Sequence, residues 1–369
     1  MEDQKKAYQI FSSFKQQYYD ESDAKTGLGS STGILNMDED IKIIIQRLNK
    51  KSKKTTTTRV KALQQLQEIL ATKDAAYIER FLKLFIILYE KILMGEIDTK
   101  VLLELHRAMA LIMAKNIKEV QRNFAAIFPL LYFATFDPNP EISALSRANL
   151  KLALKDEAKL VKAVYMFREK TREVVGKIVR GDEAFIKEVS VYDEKEINDI
   201  IQVKLLAIAF NFTSNILKLS HEMSDDEREQ VCAGLIQTVC ADEKDTQRII
   251  ALFNAHKQSH VIRAAIVNFF SKLFALDYAR YLDKKQVKLI MTAFVVHNLH
   301  DDNMGAQKYY WEEGFVLEML RQGKAYGIDV LSLEGQLTEL VKTSGFAAGE
   351  AYYKSLSELV DVILADKIR

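Results

Sequence analysis

The segment NKKSKKTTTTRVKALQQLQEIL, residues 49–70, contains the most informative pattern in the sequence. A lysine-rich segment comes first and is followed by four threonines, residues 55–58. A threonine hydroxyl can accept a hydrogen bond from an unpaired amide of a first helical turn, so we expect a threonine cap here. Beyond the threonines, apolar side chains recur three and four residues apart, which predicts one face of an amphipathic helix. The apolar positions are Val60, Leu63, Leu66, Ile69 and Leu70.

The composition of the whole chain favours helices. With 369 residues and 48% hydrophobic content, the chain is long enough to bury a sizeable core. It contains only 3 prolines and 14 glycines, the residues that interrupt helices most strongly. Regular alternation of apolar and polar residues, which is typical of strands, is almost absent. We therefore predict an all-α protein.

Helical patterns follow one another from residue 38 onward, and many pair as hairpins with short loops. They include predicted helices over residues 98–115, 117–135 and 156–180. At three places a polar turn precedes an aliphatic residue, a basic residue and alanine, as in HEAT repeats, whose arginine typically braces the loop. We therefore predict an elongated α-solenoid of HEAT- or armadillo-like hairpins. The arginines at the three places are Arg59, Arg147 and Arg263.

Two regions are predicted along the chain. Residues 1–33 combine a short aromatic helix with a leader rich in glycine and serine, which is typical of a flexible tether. Residues 34–369 form a single HEAT-like α-solenoid. Glycines accumulate from about residue 300, so we expect less regular packing there.

Charge and cysteine content restrict the partners and the compartment. The chain has 52 basic and 51 acidic residues, so it cannot coat nucleic acid by bulk charge, although a local basic patch remains possible. We expect no DNA partner. The start of the chain lacks a signal-peptide pattern, and charged residues interrupt the most apolar segment, residues 81–94, so we expect no membrane partner. Cys232 and Cys240 indicate buried thiols in a reducing compartment, and we predict a cytoplasmic protein.

One cluster resembles a metal site. The segment HNLHDD, residues 297–302, follows His256 and His260, and its His300-Asp301 pair would supply the dyad of a His-Asp phosphohydrolase. The same letters also fit an ordinary polar turn after a helix. No glycine-rich phosphate loop and no nucleophile elbow occurs. We therefore predict no catalytic residue, metal or cofactor in this chain.

The lysine-rich stretch resembles the N-terminal HEAT-repeat region of listerin, the RING-type E3 ubiquitin ligase of ribosome-associated quality control. Members carry a lysine-rich turn, one or two threonines, a basic residue and Lys-Ala-Leu, after an aliphatic helix and a Gly/Ser-rich leader. The matching residues are Lys50-Lys51, Thr57-Thr58-Arg59 and Lys61-Ala62-Leu63, with residues 41–48 as the helix and 27–31 as the leader. Weaker matches follow in family order at residues 88–101, 137–154, 260–274 and 337–363.

The chain also departs from the family pattern. The turn after Lys51 is longer than is usual, residues 101–103 are less basic, and the usual proline beside Tyr353 is missing. The tryptophan expected before the first Tyr-x-x-Leu repeat is missing as well. The resemblance therefore indicates a divergent member.

The resemblance implies a docking role. Listerin's N-terminal region contacts the large ribosomal subunit, through protein and ribosomal RNA, and the factor that tails nascent chains on stalled complexes. Its far C-terminal RING recruits the ubiquitin-conjugating enzyme. A RING holds two zinc ions with a run of cysteine and histidine ligands, which two cysteines cannot supply. We therefore expect an N-terminal fragment or a truncated relative that needs no zinc and is not itself a ligase.

The lysine-rich stretch supplies the candidate contacts. Its cations would bind ribosomal RNA phosphates or an acidic partner, with an affinity that falls as salt rises. A solvated loop between helices is the alternative for this stretch, and a generic HEAT-repeat adaptor without ribosome binding is the alternative for the chain. The candidate contact residues are Lys50, Lys51, Lys53, Lys54, Thr57, Thr58, Arg59 and Lys61.

Overall fold

A computed structural model of the chain shows helices and no strands over the residues that it describes. The predicted all-α class is therefore confirmed. The predicted leader, residues 1–33, and the lysines of residues 50–54 lie outside the described part, so the boundary at residue 33 stays a prediction. The described residues are 38–49, 55–181, 183–256, 259–297, 308–312, 315–325 and the short pieces 353–354, 357–358 and 360–361.

Fifteen α-helices are numbered here in chain order within these residues. The first eight are α1 (Glu39–Leu48), α2 (Thr56–Thr72), α3 (Ala75–Gly95), α4 (Thr99–Arg122), α5 (Phe124–Ala134), α6 (Pro140–Leu154), α7 (Glu157–Met166) and α8 (Arg168–Val179). The others are α9 (Glu183–Val189), α10 (Lys195–Leu219), α11 (Asp225–Val239), α12 (Glu243–Ala255), α13 (His260–Ala275), α14 (Lys284–Met291) and α15 (Phe315–Ala325). Short 3₁₀ or π-helical segments are Ser220–Glu222, Tyr278–Tyr281, Thr292–His297 and Lys308–Glu312.

The first six helices stack as three hairpins. Helices α2, α4 and α6 lie side by side, while α1 packs against α2, α3 against α4, and α5 against α6. At the N-terminal ends of α6 and α4, the Asn139 side-chain amide donates to the Thr99 hydroxyl at 3.2 Å. At their C-terminal ends, the Gln121 side chain donates to the Ala153 carbonyl at 3.3 Å. Neighbouring α4 and α6 are therefore parallel. This two-layer stacking is the arrangement expected of an α-solenoid.

The second half continues through the long helix α10. It packs against α13, which in turn packs against α15, while α8 contacts α10 and α11. The segment Lys195–Glu222 is the one described helical segment that is long and apolar enough to cross a membrane, but 67% of its apolar window is buried. Its apolar residues contact neighbouring helices, so it behaves as a core helix.

One predicted helix boundary coincides with a kink, and two predicted helices are divided. The predicted break between residues 115 and 117 falls at Asn116, where φ is −152° and ψ is 68° within α4, and the predicted helix over residues 117–135 divides at Asn123. The Asn116 side chain accepts from the amide of Glu119 at 3.2 Å, and this bond restarts the helix as a cap would. The predicted helix over residues 156–180 divides at Phe167, whose ring packs against Phe124 and Phe128. Tertiary packing therefore overrides the local pattern there.

Two of the three HEAT-like arginines brace their loops from inside the core. Arg263 is 3% exposed, donates to the Phe253 carbonyl at 2.7 Å and lies 3.8 Å from the centre of the Phe253 ring. Arg59 is also buried, as the next section describes. Arg147 is exposed and reaches the Thr135 carbonyl at 3.4 Å. The expectation that these arginines support loops is confirmed most clearly for the two buried ones.

Candidate docking site

The described part of the lysine-rich stretch begins at Thr55, which is the N-cap residue of α2. The Thr55 side chain makes no capping bond to a backbone amide, so the predicted threonine cap is wrong. Its hydroxyl accepts instead from Nη1 of Arg59 at 2.8 Å. A buried guanidinium has several donors to satisfy, and the threonines one turn away are the nearest acceptors. Arg59 therefore holds the end of the stretch against the helix.

Arg59 forms a buried ion pair with Glu96, the first residue after α3. Its Nε donates to the Glu96 carboxylate at 2.8 Å, and both side chains are 0% exposed. Nη2 reaches the Thr56 hydroxyl at 3.4 Å, and the guanidinium carbon lies 5.0 Å from the centre of the Tyr192 ring. A buried charge pair is tolerated when hydrogen bonds satisfy its remaining donors and acceptors. These contacts meet that condition for the guanidinium.

The carboxylate of Glu96 is satisfied from three sides as well. One oxygen accepts from the amides of Ile97 and Asp98, each at 2.9 Å. The same oxygen accepts from the hydroxyl of Tyr192. Burial, followed by the hydrogen bond to Glu96, raises the pKa of Tyr192 above its ordinary value, so its hydroxyl stays a donor. Residues from three separated segments therefore meet at one carboxylate.

Tyr192 reaches this point because the loop after α9 passes very close to the end of α3. A Cβ atom on Gly95 would overlap the carbonyl oxygen of Val189, so only glycine fits there. The amide of Val191 donates to the Gly95 carbonyl at 3.4 Å, and the Ser190 hydroxyl accepts from the Tyr192 amide at 3.0 Å. We call Arg59, Glu96 and Tyr192 the clamp. It ties Arg59 of the first hairpin to Tyr192, 133 residues later in the chain.

The clamp changes the role assigned to Arg59. Its side chain is fully buried and engaged inside the protein, so it presents no surface to a phosphate or an acidic partner. The prediction that Arg59 contacts a partner is replaced by a role in positioning the residues before it. The sequence alone could not reveal this, because the partners Glu96 and Tyr192 lie in segments with no distinctive pattern.

The remaining described candidates lie on the surface side of α2. Thr57 and Lys61 are exposed and Thr58 is half-buried, all within the first two turns of the helix. Their spacing of four residues places Thr57 and Lys61 on one stripe. Lys50, Lys51, Lys53 and Lys54 lie outside the described residues. The structure therefore brings together Thr57 and Lys61.

An open cleft lies beside the clamp. It has a volume of about 370 Å³ and is lined by the starts of α2, α4 and α10, including Thr56, Asp98, Lys100 and Tyr192. The Asp98 carboxylate is already occupied as the N-cap of α4, where it accepts from the amides of Lys100 and Val101. The charged side chains that line the cleft are few, and they do not converge on one point where a substrate atom could react.

The segment that resembles a metal site, residues 297–302, lies almost wholly outside the described residues. No group of three or more histidine, cysteine, aspartate or glutamate side chains is placed within the described part of the chain to hold a metal ion. His300 and the aspartates that follow it lie outside the described residues, so the dyad remains untested. Cys232 and Cys240 are buried free thiols that form no disulfide bond, and burial raises the pKa of both.

Stacked helical hairpins with a buried clamp define an all-α protein whose described helices fit an α-solenoid. The chain belongs to the listerin N-terminal domain family, because residues 36–363 match the family model of the N-terminal domain of E3 ubiquitin-protein ligase listerin. The resemblance drawn from the lysine-rich stretch is thereby confirmed. No curated protein matches the chain.

Proposed function

We propose that this chain is the docking region of a listerin-type ubiquitin ligase in the cytoplasm. It binds the large ribosomal subunit of stalled complexes together with the factor that tails nascent chains. A RING, which this chain does not contain, then recruits the ubiquitin-conjugating enzyme and modifies the nascent chain. The observation that carries the proposal is the family match over residues 36–363, nearly the whole chain.

The proposed contact is the lysine-rich stretch at the first hairpin. Lys50, Lys51, Lys53 and Lys54 supply the charge, and Lys61 extends it along the exposed side of α2. Thr57 and Thr58 add hydroxyl donors at the start of the helix. Contacts of this kind bind phosphate without reading base sequence, and salt weakens them.

The position of the stretch supports this assignment. The clamp anchors Thr55 and Thr56 through Arg59, so the cations that precede them are attached to a rigid point of the solenoid. A tethered cluster loses less conformational freedom on binding than one on a free tail. Arg59 therefore acts through the stretch as a positioning residue.

Charge reversal tests the proposal. The variant in which Lys50, Lys51, Lys53 and Lys54 become glutamate is compared with wild type for pelleting with large subunits over a salt series. We expect loss of pelleting with unchanged helix content by circular dichroism. Pelleting of the variant equal to that of wild type would show that the lysines make no contact. Failure of wild type itself to pellet would instead favour the generic adaptor without ribosome binding.

A further inference from the structure

Exposed charge is distributed unequally between the two helix layers of the first three hairpins. On α2, α4 and α6 the exposed charged residues comprise seven basic and two acidic side chains. On α1, α3 and α5 they comprise three of each sign. The basic set is Lys61, Lys100, Arg107, Lys118, Arg122, Arg147 and Lys151, and the acidic set is Glu68 and Glu141. We call the exposed side of α2, α4 and α6 the basic face.

The basic residues align because of helical spacing. On α4, Lys100 and Arg107 are seven residues apart, which places them on one stripe, and Lys118 is exposed beyond the kink at Asn116. Lys61 and Lys151 occupy the exposed stripes of α2 and α6 on either side. At a rise of 1.5 Å per residue, the distance along α4 from Lys100 to Lys118 is roughly 27 Å. At 8–10 Å between neighbouring helix axes, the distance across the face from α2 to α6 is roughly 20 Å.

Part of this charge is neutralised locally and part is not. Arg107 pairs with Glu104 at 2.7 Å, and Arg122 pairs with Glu119 at 2.9 Å. Lys61, Lys100, Lys118 and Lys151 have no ion pair with another described residue of the chain. Four lysines therefore add uncompensated positive charge to the face, and a polyanion is the partner that fits it.

The side chains between the cations show which polyanion fits. Helices α2, α4 and α6 contain no phenylalanine, tyrosine or tryptophan, so no ring on them can stack on an unpaired base. Ala114, Ala144 and Ala148 are exposed between the cations and keep the surface flat. Leu152 is the one large apolar side chain exposed on these helices, and a single such residue does not make the apolar centre that a protein partner needs.

We infer that the basic face binds the phosphate backbone of double-stranded RNA by charge and shape, without reading base sequence. A duplex displays ordered phosphates and no free base faces, which matches cations without aromatic neighbours. The inference deepens the proposed function by adding a second RNA contact, separate from the lysine-rich turn, and it rests on that function for its ribosomal setting.

The test uses the whole chain and a perfectly paired RNA duplex of about 20 base pairs, a length comparable with the site of a duplex-binding domain. Binding is followed by fluorescence anisotropy at several salt concentrations, with an unpaired strand of equal length beside it. The variant is Lys100→Gln, Lys118→Gln and Lys151→Gln together. The matched control is Arg80→Gln, Lys83→Gln and Lys284→Gln, three exposed cations on other helices.

We expect wild type to bind the duplex more tightly than the single strand. The triple variant should lose about 0.9 per lysine, roughly 2.7 in all, from the slope of log affinity against log salt, while the control keeps the slope. All positions are exposed, so thermal unfolding should not change. Equal slopes for the variant and wild type, or tighter binding of the single strand, would overturn the inference.

Pelleting of the same proteins with large subunits separates this inference from the proposed function. Duplex binding that depends on the three lysines, without pelleting of wild type, supports the basic face and contradicts the ribosomal role. Pelleting of wild type without any duplex binding overturns the basic face and leaves the lysine-rich turn as the contact.

Discussion

The clamp makes a sharp prediction about stability, which the substitution Glu96→Gln tests. Glutamine has nearly the same shape, and its carbonyl oxygen can still accept from the amides of Ile97 and Asp98. It removes the negative charge that faces Arg59, and its amide group can point a donor at the donor Nε. The substitution therefore isolates the charge from the packing.

The expected cost follows from the burial of both partners. Arg59 and Glu96 are each 0% exposed, so the guanidinium that remains cannot recover its hydration. Removing one partner of a buried ion pair costs about 3–5 kcal/mol. Domains of ordinary size have unfolding free energies of about 5–15 kcal/mol, so this loss would be a large part of the total.

Urea unfolding followed by circular dichroism measures this cost, with Glu39→Gln as the matched control. Glu39 pairs with Lys42 at 3.1 Å, but its side chain is 75% exposed, so we expect a change below about 1 kcal/mol. Combining Glu96→Gln with Arg59→Met should destabilise less than the sum of the single changes, because no unpaired cation remains. Equal small effects of Glu96→Gln and Glu39→Gln would refute the buried clamp.

Three further predictions concern stability. Gly95→Ala should destabilise the chain by at least about 1 kcal/mol in urea unfolding, since the new methyl group overlaps the Val189 carbonyl, and an unchanged midpoint would contradict that approach. Tyr192→Phe should cost about 1–3 kcal/mol, because a buried acceptor on Glu96 loses a donor; a neutral result would mean that the bond is unimportant. Burial, and then the charge of Lys204, lowers the pKa of His106 to about 4 from 6.5, so the unfolded state binds the proton more readily. The free energy of unfolding should therefore be highest above pH 6.5 and fall by about 2 kcal/mol on acidification to about pH 5. The substitution His106→Gln should remove that part of the pH dependence.

Most of the helical architecture follows from local patterns. The scarcity of proline and glycine and the spacing of apolar residues predict helices over most of the described chain, and the structure confirms the all-α class. The break at Phe167 and the separate helix α9 could not be predicted, because packing between distant residues determines them. The cap at Thr55 failed for the same reason, since the need of buried Arg59 for acceptors exceeds the gain from a cap.

The candidate site was only partly predictable. The lysines of a polar turn can be recognised in the sequence. Lys61 can be recognised as well, because it lies on a predicted amphipathic helix. Arg59 carries the same charge as its neighbours, and only its partner Glu96, 37 residues away, shows that it belongs to the interior. The basic face was missed as well, because its cations come from three helices that become neighbours only through stacking.

We propose that this chain docks on the large ribosomal subunit. The decisive measurement is sedimentation of the purified chain with separated large subunits, small subunits and joined ribosomes over a salt series. Docking predicts selective pelleting with free large subunits that weakens as salt rises. Equal pelleting with all three particles would indicate nonspecific binding by a cationic surface and would contradict the claim.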